Sequence, residues 1–142
     1  MAANRMGALA RILERRDEEA YLLLRVVAGV MFSMHGMQKL FGVLTDHQAA
    51  VGTQVWFGAI IEFGAGLAIA AGLCTPWAAF LASGTMAVAY IQFHWKLQFG
   101  HGMFLPAINQ GELAVVYCFV YLYFAFAGGG RASLDRAIRK VT

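Results

Sequence analysis

The sequence predicts an all-α fold, a four-transmembrane-helix bundle with both termini in the cytoplasm. Three observations predict it. Of 142 residues, 60% are hydrophobic and only 13% charged, against roughly 45–50% apolar and about 25% charged in ordinary soluble domains. Apolar runs of spanning length recur, separated by short polar or Pro- and Gly-containing connections. The basic residues are also polarised: Arg5, Arg11, Arg15, Arg16 and Arg25 precede Val26, Arg131, Arg136, Arg139 and Lys140 follow Gly130, and only Lys39 and Lys96 lie between. Positive residues flanking spans are held on the cytoplasmic side, so the net charge of +3 reads as topology. Nucleic acid is not expected as a partner. The expected partner is the lipid bilayer, in a bacterial-type plasma (inner) membrane crossed several times.

Residues 1–19 mix basic residues with Glu14, Asp17, Glu18 and Glu19 and space Met6, Leu9, Ile12 and Leu13 as a helix would. A cytoplasmic or interfacial amphipathic segment is expected, with a solvated tail as the alternative. The membrane domain then covers 20–128, with spans at about 21–41, 54–73, 77–94 and 109–127. The first run is too long for a signal-peptide core and no small-x-small site closes it, so it is expected to be retained. Thr45, Asp46, His47 and Gln48 mark the first loop. The second span is rich in small residues, including Gly58, Gly64 and Gly66, which favours close helix packing. Cys74-Thr75-Pro76-Trp77 is a tight turn, because proline suits the first turn of a new helix. The third span ends in Phe93-His94-Trp95-Lys96, an interfacial aromatic and basic cluster. A long apolar loop through Pro106 leads to the fourth span, which closes at Gly128-Gly129-Gly130, and a basic cytoplasmic tail fills 129–142. Two cysteines, Cys74 and Cys118, make no disulfide framework.

The first span carries ionisable groups that an apolar helix should not contain. At about 100° per residue, Arg25, Phe32 and Lys39 nearly eclipse one another, with His35 beside them. A charge deep in a bilayer costs about 2.5–3.5 kcal/mol even on lenient scales, so such residues face the bundle interior, paired. Glu62 falls near the middle of the second span, on the face shared with Gly58 and Gly66. Ser83, Tyr90 and His94 form a polar stripe on the third, and Asn109, Glu112, Phe119 and Tyr123 do so on the fourth. Counted at about 1.5 Å per residue, His35, Lys39, His94 and Glu112 share one layer in the outer half, with Glu62 slightly deeper. Arg25 lies near the cytoplasmic end, with a side chain long enough to reach toward Glu62.

Arg25 and Lys39 balance Glu62 and Glu112, which suits a paired network rather than an ion-selective ring. Register-fixing salt bridges are the simplest use of such a network. A quinone headgroup is the sharper one: its two carbonyl oxygens must receive protons as the ring receives electrons, which calls for imidazole or hydroxyl donors, a carboxylate relay and an aromatic lid. His35, Glu62 and Glu112 are the candidate catalytic residues on this reading, with Arg25, Lys39, Tyr90, His94 and Asn109 as candidate ligand-binding residues. No intrinsic cofactor is evident, since there is no dinucleotide fingerprint, cysteine cluster or CxxCH. His35 and His94 are able to ligate a haem or metal, but imidazole–carboxylate pairing accounts for both, and no metal is assigned.

These residues resemble a DoxX-family membrane protein. The resemblance covers about Leu24 to Asp135 and rests on Arg25, Gly29, Phe32, His35, Gly36 and Lys39-Leu40-Phe41-Gly42, on Glu62, Gly64, Gly66, Leu67, Gly72 and Thr75, and on Asn109, Gly111 and Glu112. The ending Gly128-Gly129-Gly130-Arg131-Ala132-Ser133-Leu134-Asp135 is similar too, although Gly129 stands where a proline is common. It implies a compact four-helix membrane bundle and an association with redox chemistry, as in subunits of thiosulfate:quinone oxidoreductase and membrane partners of sulfur-transfer enzymes. It implies no catalytic residues. The expected function is a membrane subunit of a quinone-linked redox system that binds a quinone headgroup or a small polar ligand in this buried His, Lys, Glu and Arg network, a non-autonomous oxidoreductase component served by a soluble or membrane redox partner protein. The alternatives are a non-enzymatic scaffold for such partners and a small-solute transporter.

Overall fold

A computed structural model describes residues 16–140, and all regular structure among them is helical. The expected surface segment of residues 1–15 lies outside the described residues. The chain runs through α1 (Asp17–Phe41), α2 (Gln54–Ala71), α3 (Thr75–Ala89), a π-helical continuation of α3 (Tyr90–Trp95), a single 3-10 turn (Gly100–Gly102), α4 (Pro106–Asn109), α5 (Glu112–Ala127) and α6 (Leu134–Arg139). Two of these, α1 and α2, are long and apolar enough to cross a membrane, and α5 is a shorter apolar helix.

The helix ends follow from local chemistry. Asp17, Glu18 and Glu19 fill the first turn of α1, where carboxylates oppose the positive end of the helix dipole. The helix therefore starts ahead of the apolar run. It stops at Gly42, whose left-handed φ of 66° no β-carbon opposes. Thr53 caps α2 by accepting the Trp56 amide, and Gly72 ends it at φ 72°. Pro76 sits in the first turn of α3.

The π-helical segment is not visible in the sequence. It continues α3 for six residues and stops at left-handed Lys96. The fourth apolar helix also differs from expectation, opening at Glu112 rather than Asn109. Pro106 starts a separate turn that Gln110 ends with φ 59°, so Asn109 belongs to the loop.

The helices pack mainly as two pairs, α1 on α2 and α3 on α5, joined by contacts of α2 with α3. Glycine makes the first pair. A β-carbon on Gly29 would lie 2.6 Å from the Ala70 nitrogen, and one on Gly66 would lie 2.5 Å from the Ser33 nitrogen. Backbones approach that closely only without side chains. Gly58 and Gly64 do not share this role, since a β-carbon on either meets nothing within 4 Å. The second pair is fastened by Ser83, whose hydroxyl donates to the Cys118 carbonyl at 2.8 Å. Phe32, Tyr117, Tyr121 and Phe124 fill the centre, with Phe32 and Tyr121 centroids 4.8 Å apart. The Tyr121 hydroxyl donates to Ala28 O at 3.0 Å and ties α5 to α1.

The burial pattern is inverted relative to a water-soluble domain. Arg25, Glu62, Thr75 and Ser83 are buried, while Trp77, Phe80, Phe119 and Phe126 are exposed. A large contiguous apolar exterior marks a surface made for something other than water.

A latch closes the end of the bundle where α1 begins. Arg25, 1% exposed, donates to the carbonyls of Ile69 (2.6 Å), Ala70 (3.1 Å) and Ala132 (2.7 Å). The first two lie in the last turn of α2, where carbonyls lack their usual helical partners; Ile69 O also accepts the Gly72 amide at 3.1 Å. Asp135 accepts the Cys74 amide at 2.7 Å and the Thr75 amide at 3.0 Å, capping α3 from the other end of the sequence. Its own amide donates to Gly72 O at 2.9 Å. Tyr21 donates through its hydroxyl to Gly128 O.

Candidate functional site

Four of the ionisable or imidazole residues singled out from the sequence meet in one cavity. It has a volume of about 340 Å³ and takes His35 and Lys39 from α1, Glu62 from α2 and His94 from the π-helical segment. Phe32 and Tyr117 supply aromatic wall, and Gln110 and Phe93 add to the lining.

Lys39 and Glu62 form its electrostatic centre. Lys39 Nζ donates to Glu62 Oε1 at 2.6 Å and Oε2 at 2.8 Å. The Glu62 side chain is 5% exposed and that of Lys39 39%, so the carboxylate depends on the ammonium group for compensation. Removing one partner of a buried pair typically costs about 3–5 kcal/mol, because the other charge is left without one. The helix pairing that brings them together is the glycine contact of α1 with α2.

His94 is oriented by the loop. Its Nδ1 lies 3.2 Å from the Asn109 carbonyl oxygen, which can only accept, so the hydrogen-bond network assigns the proton to Nδ1. The neutral ring then keeps Nε2 as an acceptor. The π-helical winding decides which way position 94 faces, and windings of this kind gather at functional sites.

Asn109 and Tyr90 lie beside the cavity and act as a hub for the loop. The Asn109 amide donates to Met103 O (2.9 Å) and the Tyr90 hydroxyl oxygen (3.3 Å), and its Oδ1 accepts the Gly111 amide at 2.8 Å. Tyr90 donates to Phe104 O at 2.6 Å. Tyr90 also joins Trp95, Phe99 and Phe104 around a second, aromatic pocket.

Two expected members stand elsewhere. Glu112 is exposed at the first residue of α5 and makes no ion pair among the described residues. The dipole of α5 favours a carboxylate there without a counter-ion. The buried face of α5 is Ala114, Tyr117, Tyr121 and Phe124, whereas Phe119 and Tyr123 of the expected polar stripe point outward. Arg25 does not reach Glu62; the three carbonyls of the latch hold it, about 10 Å along α2 at 1.5 Å per residue. Sequence reading did not single out Gln110, whose left-handed backbone follows from the short α4 turn. Among the described residues no group of three or more His, Cys, Asp or Glu is assembled to hold a metal ion.

A helical bundle that is apolar outside, with a half-buried ion pair and two histidines facing one largely apolar cavity, has the make-up of a membrane protein. The DoxX family model matches residues 20–95, and the chain belongs to the DoxX family. It is 38% identical over 133 residues to an uncharacterized protein of Haemophilus influenzae (strain ATCC 51907 / DSM 11121 / KW20 / Rd), a match covering 90% of this chain and 97% of that relative. No solved structure matches it.

Proposed function

We propose that the chain is a multi-pass plasma-membrane subunit of a quinone-linked redox system, with four spans, both termini in the cytoplasm, and the quinone headgroup in the cavity beside Lys39 and Glu62. The observation that carries this reading is the convergence of His35, Lys39, Glu62 and His94 on one space of headgroup size. Intramembrane ionisable residues gathered around a cavity indicate function more often than mere register. The four-span reading draws support from the unbroken helical run of α3 and its π-helical continuation, from the apolar exterior, and from basic residues at both ends of the sequence.

Reduction of a quinone consumes two electrons and two protons and yields the quinol. The electrons come from a separate donor protein. The residues of this chain position the ring and supply protons: Lys39 and His35 act as donors to the carbonyl oxygens, and once Lys39 has given up its proton Glu62 takes one from water at the open side of the cavity and passes it to the Lys39 amine. The Nε2 acceptor of His94 takes a proton from the quinol in the reverse direction. Phe32, Phe93 and Tyr117 supply faces for the ring.

Lipid extraction of the purified protein, followed by quinone titration, tests the reading. Co-purifying quinone or saturable binding, weakened by Glu62→Gln together with donor-linked quinone reduction, is the expected result. Protein that neither retains nor binds quinone, with Glu62→Gln leaving donor-linked reduction unchanged, would sink it.

A further inference from the structure

A second cavity shares a wall with the first. It is a groove of about 430 Å³ between α2 and α3, and Lys39, Glu62, Ala89 and Phe93 border both spaces. On α3 it runs from Phe80 to Phe93, roughly 20 Å at 1.5 Å per residue. The groove exists because side chains are missing: a β-carbon on Gly58 or Gly84 would meet nothing within 4 Å, and both residues line it. Phe57, Phe80, Leu81 and Val88 make its sides, and all are exposed on the outer surface. Its two polar residues away from the ion pair are occupied. Thr85 donates to Leu81 O at 2.9 Å and Gln54 donates to Gln92 Oε1 at 2.5 Å.

We infer that this groove holds the hydrocarbon tail of the ligand whose head lies beyond Lys39 and Glu62, so the ligand is a long-chain quinone entering sideways from the bilayer. The inference rests on the quinone reading above and adds the substrate's class and route. The two spaces together have the polarity of an amphiphile: ionisable groups at one end, an apolar channel along the length, and an open side toward lipid. A small water-soluble ligand would leave the groove without a use. A tail leaving lipid gains little from hydrophobicity, so the groove must hold it by close contact, and the space at Gly58 and Gly84 decides whether it fits.

The test compares two probes on protein in nanodiscs, a tailless dimethoxy-methyl-benzoquinone and the same ring with a decyl tail. Gly58→Leu with Gly84→Leu is expected to weaken the decyl probe by about tenfold or more, the scale of an overpacked site, and to leave the tailless probe unchanged. Gly64→Leu, on an exposed glycine that borders neither cavity, should alter neither probe. Equal effects on both probes, or none on the decyl probe, would overturn the tail assignment while leaving headgroup binding intact. Failure of both probes to bind wild-type protein would overturn both readings, and failure of the decyl probe alone would overturn the tail assignment. Independently of any variant, a decyl quinone with a diazirine at the tail end should crosslink wild-type protein between Phe80 and Val88. Labelling confined to α1 or α5 would overturn the inference.

Discussion

Lys39 on α1 holds both carboxylate oxygens of Glu62 on α2, and the pair stands in the wall between two cavities. Its loss should therefore be felt in stability and in binding. Lys39→Met leaves the Glu62 carboxylate buried without a counter-ion and is expected to destabilise by about 3 kcal/mol, the low end of the range because Lys39 is partly exposed. The double variant Lys39→Met with Glu62→Leu removes both charges and should recover most of that. Thermal unfolding in one detergent compares them; a double variant no more stable than the single would show that the pair's charge is not what matters.

The α1–α2 contact should tolerate no added atom at Gly66. Gly66→Ala places a β-carbon against the Ser33 backbone, and backbone cannot rotate aside. A loss of about 1–3 kcal/mol is expected. Gly64→Ala, two residues away with open space, should be neutral or slightly stabilising through helix propensity. Midpoints of thermal unfolding for the two variants decide this, and equal loss in both would count against the close contact.

Asp135 gives the latch a pH dependence. Burial would raise its carboxyl pKa, but the amide hydrogen bonds from Thr75 and Cys74, helped by Arg139, outweigh this and hold it below the ordinary value. A carboxylate depressed in the folded state stabilises fully above its unfolded pKa of about 3.9 and loses that contribution as pH falls through the folded value. Protection of the amides at residues 130–140, taken relative to intrinsic exchange at each pH, should fall below about pH 4. Asp135→Asn should exchange fast at neutral pH, with a flatter acid response. Protection that stays the same through this pH range in the wild-type chain would contradict the assignment.

Arg25→Lys is expected to fail as a replacement. One guanidinium spans Ile69, Ala70 and Ala132, whereas an ammonium acts as a point. Charged hydrogen bonds contribute about 1.5–3 kcal/mol each, so losing the Ala132 contact should cost about that much and expose the segment after Gly130 to protease. Unchanged digestion at Arg131 and Arg136 would disprove it.

The family and the helical class were legible in the sequence, because composition and the string from Arg25 to Gly42 with Glu62 are local properties. Lys39 facing a carboxylate was legible too, since an apolar helix cannot leave an ammonium group without a partner. Which carboxylate was not. Glu112 seemed equally placed until the loop before it took the turn Pro106–Asn109 and moved the helix start. The π-helical winding at Tyr90 carries no Gly or Pro marker, and the contact it allows, His94 with the Asn109 carbonyl, joins residues whose pairing spacing does not reveal. Asp135 lay in the recognised ending, but its role needs a partner 60 residues away in sequence, which spacing does not reveal.

The latch has a consequence for biosynthesis. Arg25 leaves the ribosome 107 residues ahead of Ala132, one of its three partners. Glycine contacts allow α1 and α2 to pair as soon as both are inserted, but the guanidinium then waits with an incomplete set of acceptors until Ala132, beyond α5, is in place. Asp135 likewise caps α3 only after another 60 residues have followed Thr75. A chain stopped at Ala127 would hold α1, α2, α3 and α5 and still lack the contacts of Ala132 and Asp135 that close the bundle around Arg25.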